Sequence, residues 1–195
     1  MAEVLFGRDR ELALISAFVE RARTGGESLL LLGEPGAGKT VLLDAAACEA
    51  SKARTRVLRA AGVEFEADLA FSGLHQVLLP LADEFGQLSA AHRDALNVAL
   101  GLGEGPPPDR LLVSTAALTM VRRAAAVSPV LVIVDDLPWL DRASAGVLGF
   151  VARRLADSRA GFLAASRQGG RASSSAPGCP STSLARWTTK LLTAC

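Results

Sequence analysis

Apolar residues follow two rhythms along this chain. Short dense runs at residues 28–32, 56–60, 130–134 and 161–165 read as strands. The third is apolar at every position, as expected of a central parallel strand buried on both faces. Between the runs, apolar positions recur at helical spacing. Residues 11–23 carry Leu12, Ile15, Phe18, Val19 and Ala22, with Asp9 as cap and Thr24-Gly25-Gly26 as stop. Residues 41–47 read as a second helix, and residues 69–85 as mostly helical, broken at Pro80. A Gly- and Pro-rich loop at 101–108 leads to Asp109. That residue caps a helix with Leu111, Leu112, Leu118 and Val121 on its apolar side, ended by Ser128-Pro129. Residues 143–155 place Val147, Leu148, Val151 and Leu155 on one helical face. Strands alternating with helices predict an α/β fold with a doubly wound, mostly parallel sheet. No internal repeat interrupts the alternation. After Arg167 the pattern stops: residues 168–195 contain no Asp or Glu, are rich in Ser, Ala, Pro and Gly, and show no period. The expectation is a folded core over 1–167 and a poorly ordered tail over 168–195, whose one structured candidate is 187–194.

Composition narrows the function classes. A chain of 195 residues that is 50% hydrophobic suits one α/β domain with a real core. A formal charge of +1, without a basic stripe, gives no electrostatic case for direct nucleic-acid binding. Apolar runs are far short of a membrane span, and the first residues lack a signal-peptide layout. Cys48, Cys179 and Cys195 show no metal or redox spacing. A reduced cytoplasm is therefore the default, with Cys48 expected to be a small core residue.

The chemistry begins at Gly33-Glu34-Pro35-Gly36-Ala37-Gly38-Lys39-Thr40, which satisfies G-x-x-x-x-G-K-[ST] with a strand before it and a helix, opening at Val41, after it. That context marks a phosphate-binding loop. Glycines let successive N–H groups converge on phosphate oxygens, and the helix N-terminus adds positive potential. Lys39 is placed to reach the β- and γ-phosphates and Thr40 to ligate Mg²⁺. Far along the chain, the strand at 130–134 ends in Asp135-Asp136, and strand C-termini are where open α/β sheets bind ligands. Asp135 is the candidate for holding Mg²⁺ opposite Thr40, and Asp136 for orienting or deprotonating the attacking water. A solvated turn is the bland alternative for the acidic pair, and a surface charge for Arg167. His75 and His92 have no visible partner, and Glu64 and Glu66 read as solvated.

Together these motifs resemble the additional-strand branch of P-loop ATPases. In detail they are similar to the AAA-type ATPase module at the N-terminus of large LuxR-family transcriptional regulators, within the STAND signalling NTPases. Four stretches carry the likeness: Phe6-Gly7-Arg8-Asp9-Arg10-Glu11, the phosphate loop, Asp135-Asp136-Leu137-Pro138-Trp139-Leu140-Asp141, and Leu163-Ala164-Ala165-Ser166-Arg167. The resemblance implies Arg8 near the adenine and Arg167 as an arginine facing the γ-phosphate. Trp139 is expected to pack rather than to touch nucleotide. The ligands implied are ATP and Mg²⁺, the guanine-reading N-K-x-D pattern being absent. The resemblance also implies a fifth core strand, a helical lid, a helical-repeat region and a C-terminal helix-turn-helix, none of them readable here. The fold is accordingly expected to be incomplete, with residues 29–32 at an open sheet edge. Residues 174–180 read as a one-base shift of a family-like F-E-R-A-G-L-P, so the chain is expected to be truncated or frameshifted after the sensor strand.

Three functions compete. The first is an ATP-binding, slowly hydrolysing switch module of a regulator, with ATP as partner and no membrane. Since no arginine finger is identifiable beyond Arg167, turnover is expected to be feeble. The second is an AAA-type remodelling ATPase, which requires nucleotide-dependent self-association. The third is a relic with weak or no nucleotide binding. A small-molecule kinase ranks last, since no second-substrate motif is evident.

Overall fold

The computed structural model describes residues 8–167 together with 182–183. Its strands are β1 (Glu27–Gly33), β2 (Arg56–Ala61), β3 (Val130–Asp135), β4 (Ala160–Arg167) and the two-residue β5 (Thr182–Ser183). All described pairings are parallel, in the order β2-β3-β4-β1-β5. β4 therefore lies between the phosphate-loop strand β1 and the acidic strand β3, which is the additional-strand arrangement of P-loop ATPases.

Alternation along the strands divides the core into two faces. Leu131 and Ile133 of β3, Leu163 and Ala165 of β4, and Leu29 and Leu31 of β1 pack with Ile15, Phe18 and Leu43. These last come from α1 (Asp9–Gly25) and α2 (Lys39–Lys52). Val130, Val132 and Val134 face the other way, toward α3 (Ser72–Leu78), α4 (Ala90–Ala99), α5 (Arg110–Val127) and α6 (Arg142–Ala152). Every β3 residue from Val130 to Val134 is buried, so the all-apolar run has the two-faced burial it predicts.

Several expectations are corrected. Asp9 begins α1 rather than capping it; Arg8 is the N-cap and makes no side-chain cap bond. Asp109 does cap α5, accepting from the Leu112 N–H at 2.9 Å. Leu111 is 62% exposed: the buried face of α5 runs through Val113, Ala117, Met120 and Ala124, and Leu111 lies off that face. Cys48 is exposed, because the buried stripe of α2 runs through Leu42, Leu43, Ala46 and Ala50 and Cys48 points away from it. The break expected at Pro80 is present, α3 ending at Leu78, but the helix starts only at Ser72 and residues 79–87 beyond the break form a 3-10 segment. α4, opened by Ser89, is an element the apolar spacing does not announce. The open edge expected at 29–32 is covered in part, since Leu31 and Leu32 pair with Thr182 and Ser183. The remaining expectations for 168–195 lie outside the described residues.

One buried carboxylate ties the acidic strand end to the helical layer. Asp141 is 1% exposed and accepts four hydrogen bonds. Phe71 N–H and Ser144 N–H donate to Oδ1, both at 2.8 Å, while Gly73 N–H at 3.0 Å and the Ser72 hydroxyl at 3.2 Å donate to Oδ2. The Ser144 hydroxyl in turn accepts from Leu74 N–H at 2.7 Å. Asp141 thus caps α6 and also satisfies the N–H groups that open α3, which a helix start leaves without intrahelical acceptors. Burial pushes its carboxyl up, but the donors from Ser144, Gly73 and Phe71 outweigh burial and hold it below its ordinary 3.8. A depressed folded-state value means stability that is present above about pH 4 and lost as pH falls through the folded value. Asp141→Asn should therefore destabilise the fold by about 2 kcal/mol at neutral pH, and urea unfolding should show the gap from wild type closing below about pH 4.

Candidate functional site

The end of β1 turns into the phosphate loop through residues suited to it. Gly36 and Gly38 take φ of 74° and 76°, a left-handed state that glycine adopts without a Cβ penalty. The Ala37 N–H donates to the Glu34 carbonyl at 3.1 Å. Glu34 and Pro35 are exposed at the loop's crest. Gly38 is the N-cap of α2, so the N–H groups of Lys39, Thr40 and Val41 form its first turn. They lack intrahelical acceptors and sit at the positive end of the helix dipole. Lys39 is 8% exposed, and its Nζ donates to the carbonyls of Gly33 at 3.0 Å and Glu34 at 2.9 Å. Arg8 reaches the same loop from the start of α1, donating to the Gly38 carbonyl at 3.3 Å. Its guanidinium occupies the space a Cβ on Gly38 would need.

The second strand tip arrives beside the first. The Thr40 hydroxyl donates to Asp135 Oδ2 at 2.8 Å across 95 residues of sequence. The other carboxylate oxygen, Oδ1, accepts from the Asp136 N–H at 2.8 Å. Asp136 has φ 46° and ψ 52°, the left-handed region that Asp tolerates better than most residues. Arg167 ends β4 in register with Gly33. Its Nε lies 3.4 Å from Asp136 Oδ1, and its guanidinium carbon lies 5.8 Å from the centre of the Trp139 ring. At 39% exposure on each side, this ion pair orients side chains more than it stabilises the fold.

Lys39, Thr40, Asp135, Asp136 and Arg167 therefore converge at the C-terminal end of the sheet, with Arg8 against the back of the loop. Other sequence candidates lie elsewhere. His92 is 3.5 Å from the Thr115 hydroxyl, and His75 is half-buried on α3. Glu64 is exposed and Glu66 half-buried on a 3-10 turn.

Sequence reasoning missed the supports behind the acidic turn. Gly62, just past β2, donates its N–H to the Asp135 carbonyl at 3.0 Å, and Gly73 lies against Leu140. A glycine ending a strand is the signal that was available, since it often marks a close backbone approach.

A hydroxyl and a carboxylate oxygen at 2.8 Å form a hard oxygen donor pair of the kind Mg²⁺ takes from protein. The described residues contain no cluster of three or more His, Cys, Asp or Glu that could hold a metal by themselves. No helix among them is long and apolar enough to cross a membrane.

Among solved structures the chain is similar to the Aeropyrum pernix ORC2 protein, described in ADPNP–ADP complexes. Identity is 18% over 85% of this chain and 42% of that one, with a TM-score of 0.50. It is similar at 17% identity to AMPPCP-bound DnaA from Aquifex aeolicus, over 85% of this chain and 40% of DnaA, TM-score 0.43. C. elegans PCH-2 matches at 14% identity over 84% of this chain and 38% of that one, TM-score 0.42. The chain thus spans less than half the length of these proteins, and at such identity the likeness to ORC2 is one of fold alone. No curated protein matches it. The AAA ATPase domain matches residues 4–163, a span that takes in the phosphate loop and the acidic strand. The chain belongs to the AAA ATPase domain family.

Proposed function

We propose that this chain binds ATP with Mg²⁺ and hydrolyses it slowly, as the nucleotide-dependent switch of a signalling or transcriptional regulator. The observation that carries this reading is the Thr40–Asp135 hydrogen bond at 2.8 Å, which joins the phosphate loop to the acidic strand end. In this reading the N–H groups of Gly36 and of Gly38 to Val41 bind phosphate oxygens, while the Ala37 N–H closes the loop on the Glu34 carbonyl. Lys39, with three donors and two of them on its own loop, turns the third toward the β- and γ-phosphates. Thr40 and Asp135 would hold Mg²⁺, which would neutralise charge on the triphosphate. Asp136 orients the water and accepts its proton as the oxygen attacks the γ-phosphorus. The bond to the β–γ bridging oxygen breaks, and ADP and phosphate leave. Arg167, in register with Gly33, stabilises charge on the γ side. The family resemblance assigns Arg8 to the adenine side, and its contact with the Gly38 carbonyl ties it to the phosphate loop. The regulator assignment is supported by the spacing of Asp135, Asp136, Trp139 and Asp141, which is similar to the acidic box of LuxR-type STAND modules.

A ligand that binds only the native state raises its stability by about 2.7 kcal/mol at a hundredfold excess over Kd. For a chain of this size that is a melting shift of about 5–10 °C. ATP–Mg²⁺ should produce such a shift in wild type and none in Lys39→Ala. In Asp135→Ala the shift should persist but no longer depend on Mg²⁺. Absence of a shift in wild type would favour the relic reading. In phosphate-release assays, turnover should stay below about 1 s⁻¹. Asp136→Asn should lower it by about 10²-fold or more while leaving the ATP-induced melting shift in place.

A further inference from the structure

Asp136 holds its carboxylate from a left-handed backbone at φ 46°, and something must hold that turn. Two glycines from different elements receive it. Beneath the turn's backbone lies Gly62, where a Cβ would stand within 2.6 Å of the Asp136 carbonyl oxygen, the Leu140 nitrogen and the Trp139 carbonyl carbon. All three are main-chain atoms, so no side-chain movement could make room. Beneath the side chain of Leu140 lies Gly73, where a Cβ would collide with Leu140 Cδ1 and stand 3.1 Å from Cγ. The turn is closed internally by Trp139 N–H to the Asp136 carbonyl at 2.9 Å and by Leu140 N–H to the Leu137 carbonyl at 3.2 Å. It is tied to the strand by the Gly62 N–H on the Asp135 carbonyl at 3.0 Å. On its far side Asp141 fastens the chain to the start of α3, the helix that carries Gly73.

From this arrangement we propose that Gly62 and Gly73 form a seat for residues 136–140 that sets where the Asp136 carboxylate stands relative to Thr40 and Asp135. The two glycines are positioning residues for hydrolysis and have no part in holding nucleotide. The inference rests on the proposed hydrolysis for its kinetic consequence, but its structural content does not depend on nucleotide. The phosphate loop follows β1, three strand positions from β2 in the sheet, with β3 and β4 between them. A Cβ at Gly62 should therefore displace the acidic turn and leave the loop intact. Misplacement of a reacting group by about 1 Å can lower a rate by about 10²-fold.

The test uses the full chain and two readouts. Backbone carbon chemical shifts of Asp136, measured by NMR without nucleotide, report whether its left-handed conformation persists. ATP–Mg²⁺ affinity and single-turnover hydrolysis report the consequence. In Gly62→Ala the Asp136 shifts should move away from left-handed values and hydrolysis should fall about 10–100-fold, with affinity held within about threefold. Should Gly62→Ala not fold, Gly73→Ala pushes on the same turn through Leu140, and Gly73→Ala with Leu140→Ala frees the space again. The single variant should show the same split between rate and affinity, and the double variant should recover it. Unchanged Asp136 shifts in a folded Gly62→Ala or Gly73→Ala chain would overturn the seat. So would rate and affinity falling together, or a double variant no better than the single. Wild type that fails to bind ATP–Mg²⁺ while the Asp136 shifts move in the variants would sink the hydrolysis reading and leave the seat standing.

Discussion

The placement of β4 between β1 and β3 is the constraint on which the rest of this structure depends. Each strand contributes one part of the site at its C-terminal tip: β1 the loop and its lysine, β3 the acidic pair, β4 an arginine. Inserting β4 holds the tips of β1 and β3 apart by one strand. The side chain of Thr40, launched from the first turn of α2, then spans that gap to meet Asp135 at 2.8 Å. Arg167, in register with Gly33, fills the place between them and pairs with Asp136. A sheet that put β1 directly beside β3 would leave no such slot. The core serves this order: β3 and β4 are buried on both faces, so moving either to an edge of the sheet would expose apolar side chains along a whole strand.

The carboxylates of the acidic box divide their labour by environment. Asp135 and Asp136 are half-buried at the sheet's end, within reach of a ligand. Asp141 is almost wholly buried, and its four hydrogen-bond donors hold it charged and inert. Its place is structural, joining α6 to α3. Tight backbone approach at Gly62 and side-chain approach at Gly73 are the complement to that clamp. A charged anchor on one side and two missing methyl groups on the other confine a short turn. Trp139, which the sequence suggested as a packing residue, lies beside the Arg167 guanidinium and so belongs to the wall of the site.

The order of elements was legible because each core strand is a dense apolar run, and each long helix has a stripe with the period of its own turn. The phosphate loop was legible because only glycine satisfies its left-handed positions and the lysine and threonine follow at fixed offsets. Less visible were features set by neighbours distant in sequence. Cys48 and Leu111 have the apolar character of core residues, yet their exposure is decided by where the helix meets the sheet. α4 is faint in the sequence because its buried positions are just Ala95 and Leu96, and α3 stops at Leu78 because Pro80 lacks the N–H that another helical turn would use.

By itself the sequence determined the four long strands and the helices with a clear apolar stripe, and which residue types can bind phosphate and a hard cation. These follow from local chemistry and from periods of two and about 3.6 residues. Only the tertiary structure decided that Thr40 and Asp135 touch, that Arg167 meets Asp136, and that Asp141 clamps α3 instead of facing a ligand. Those outcomes depend on strand order and on the close approach of backbones far apart in the chain, and no short window of residues encodes either.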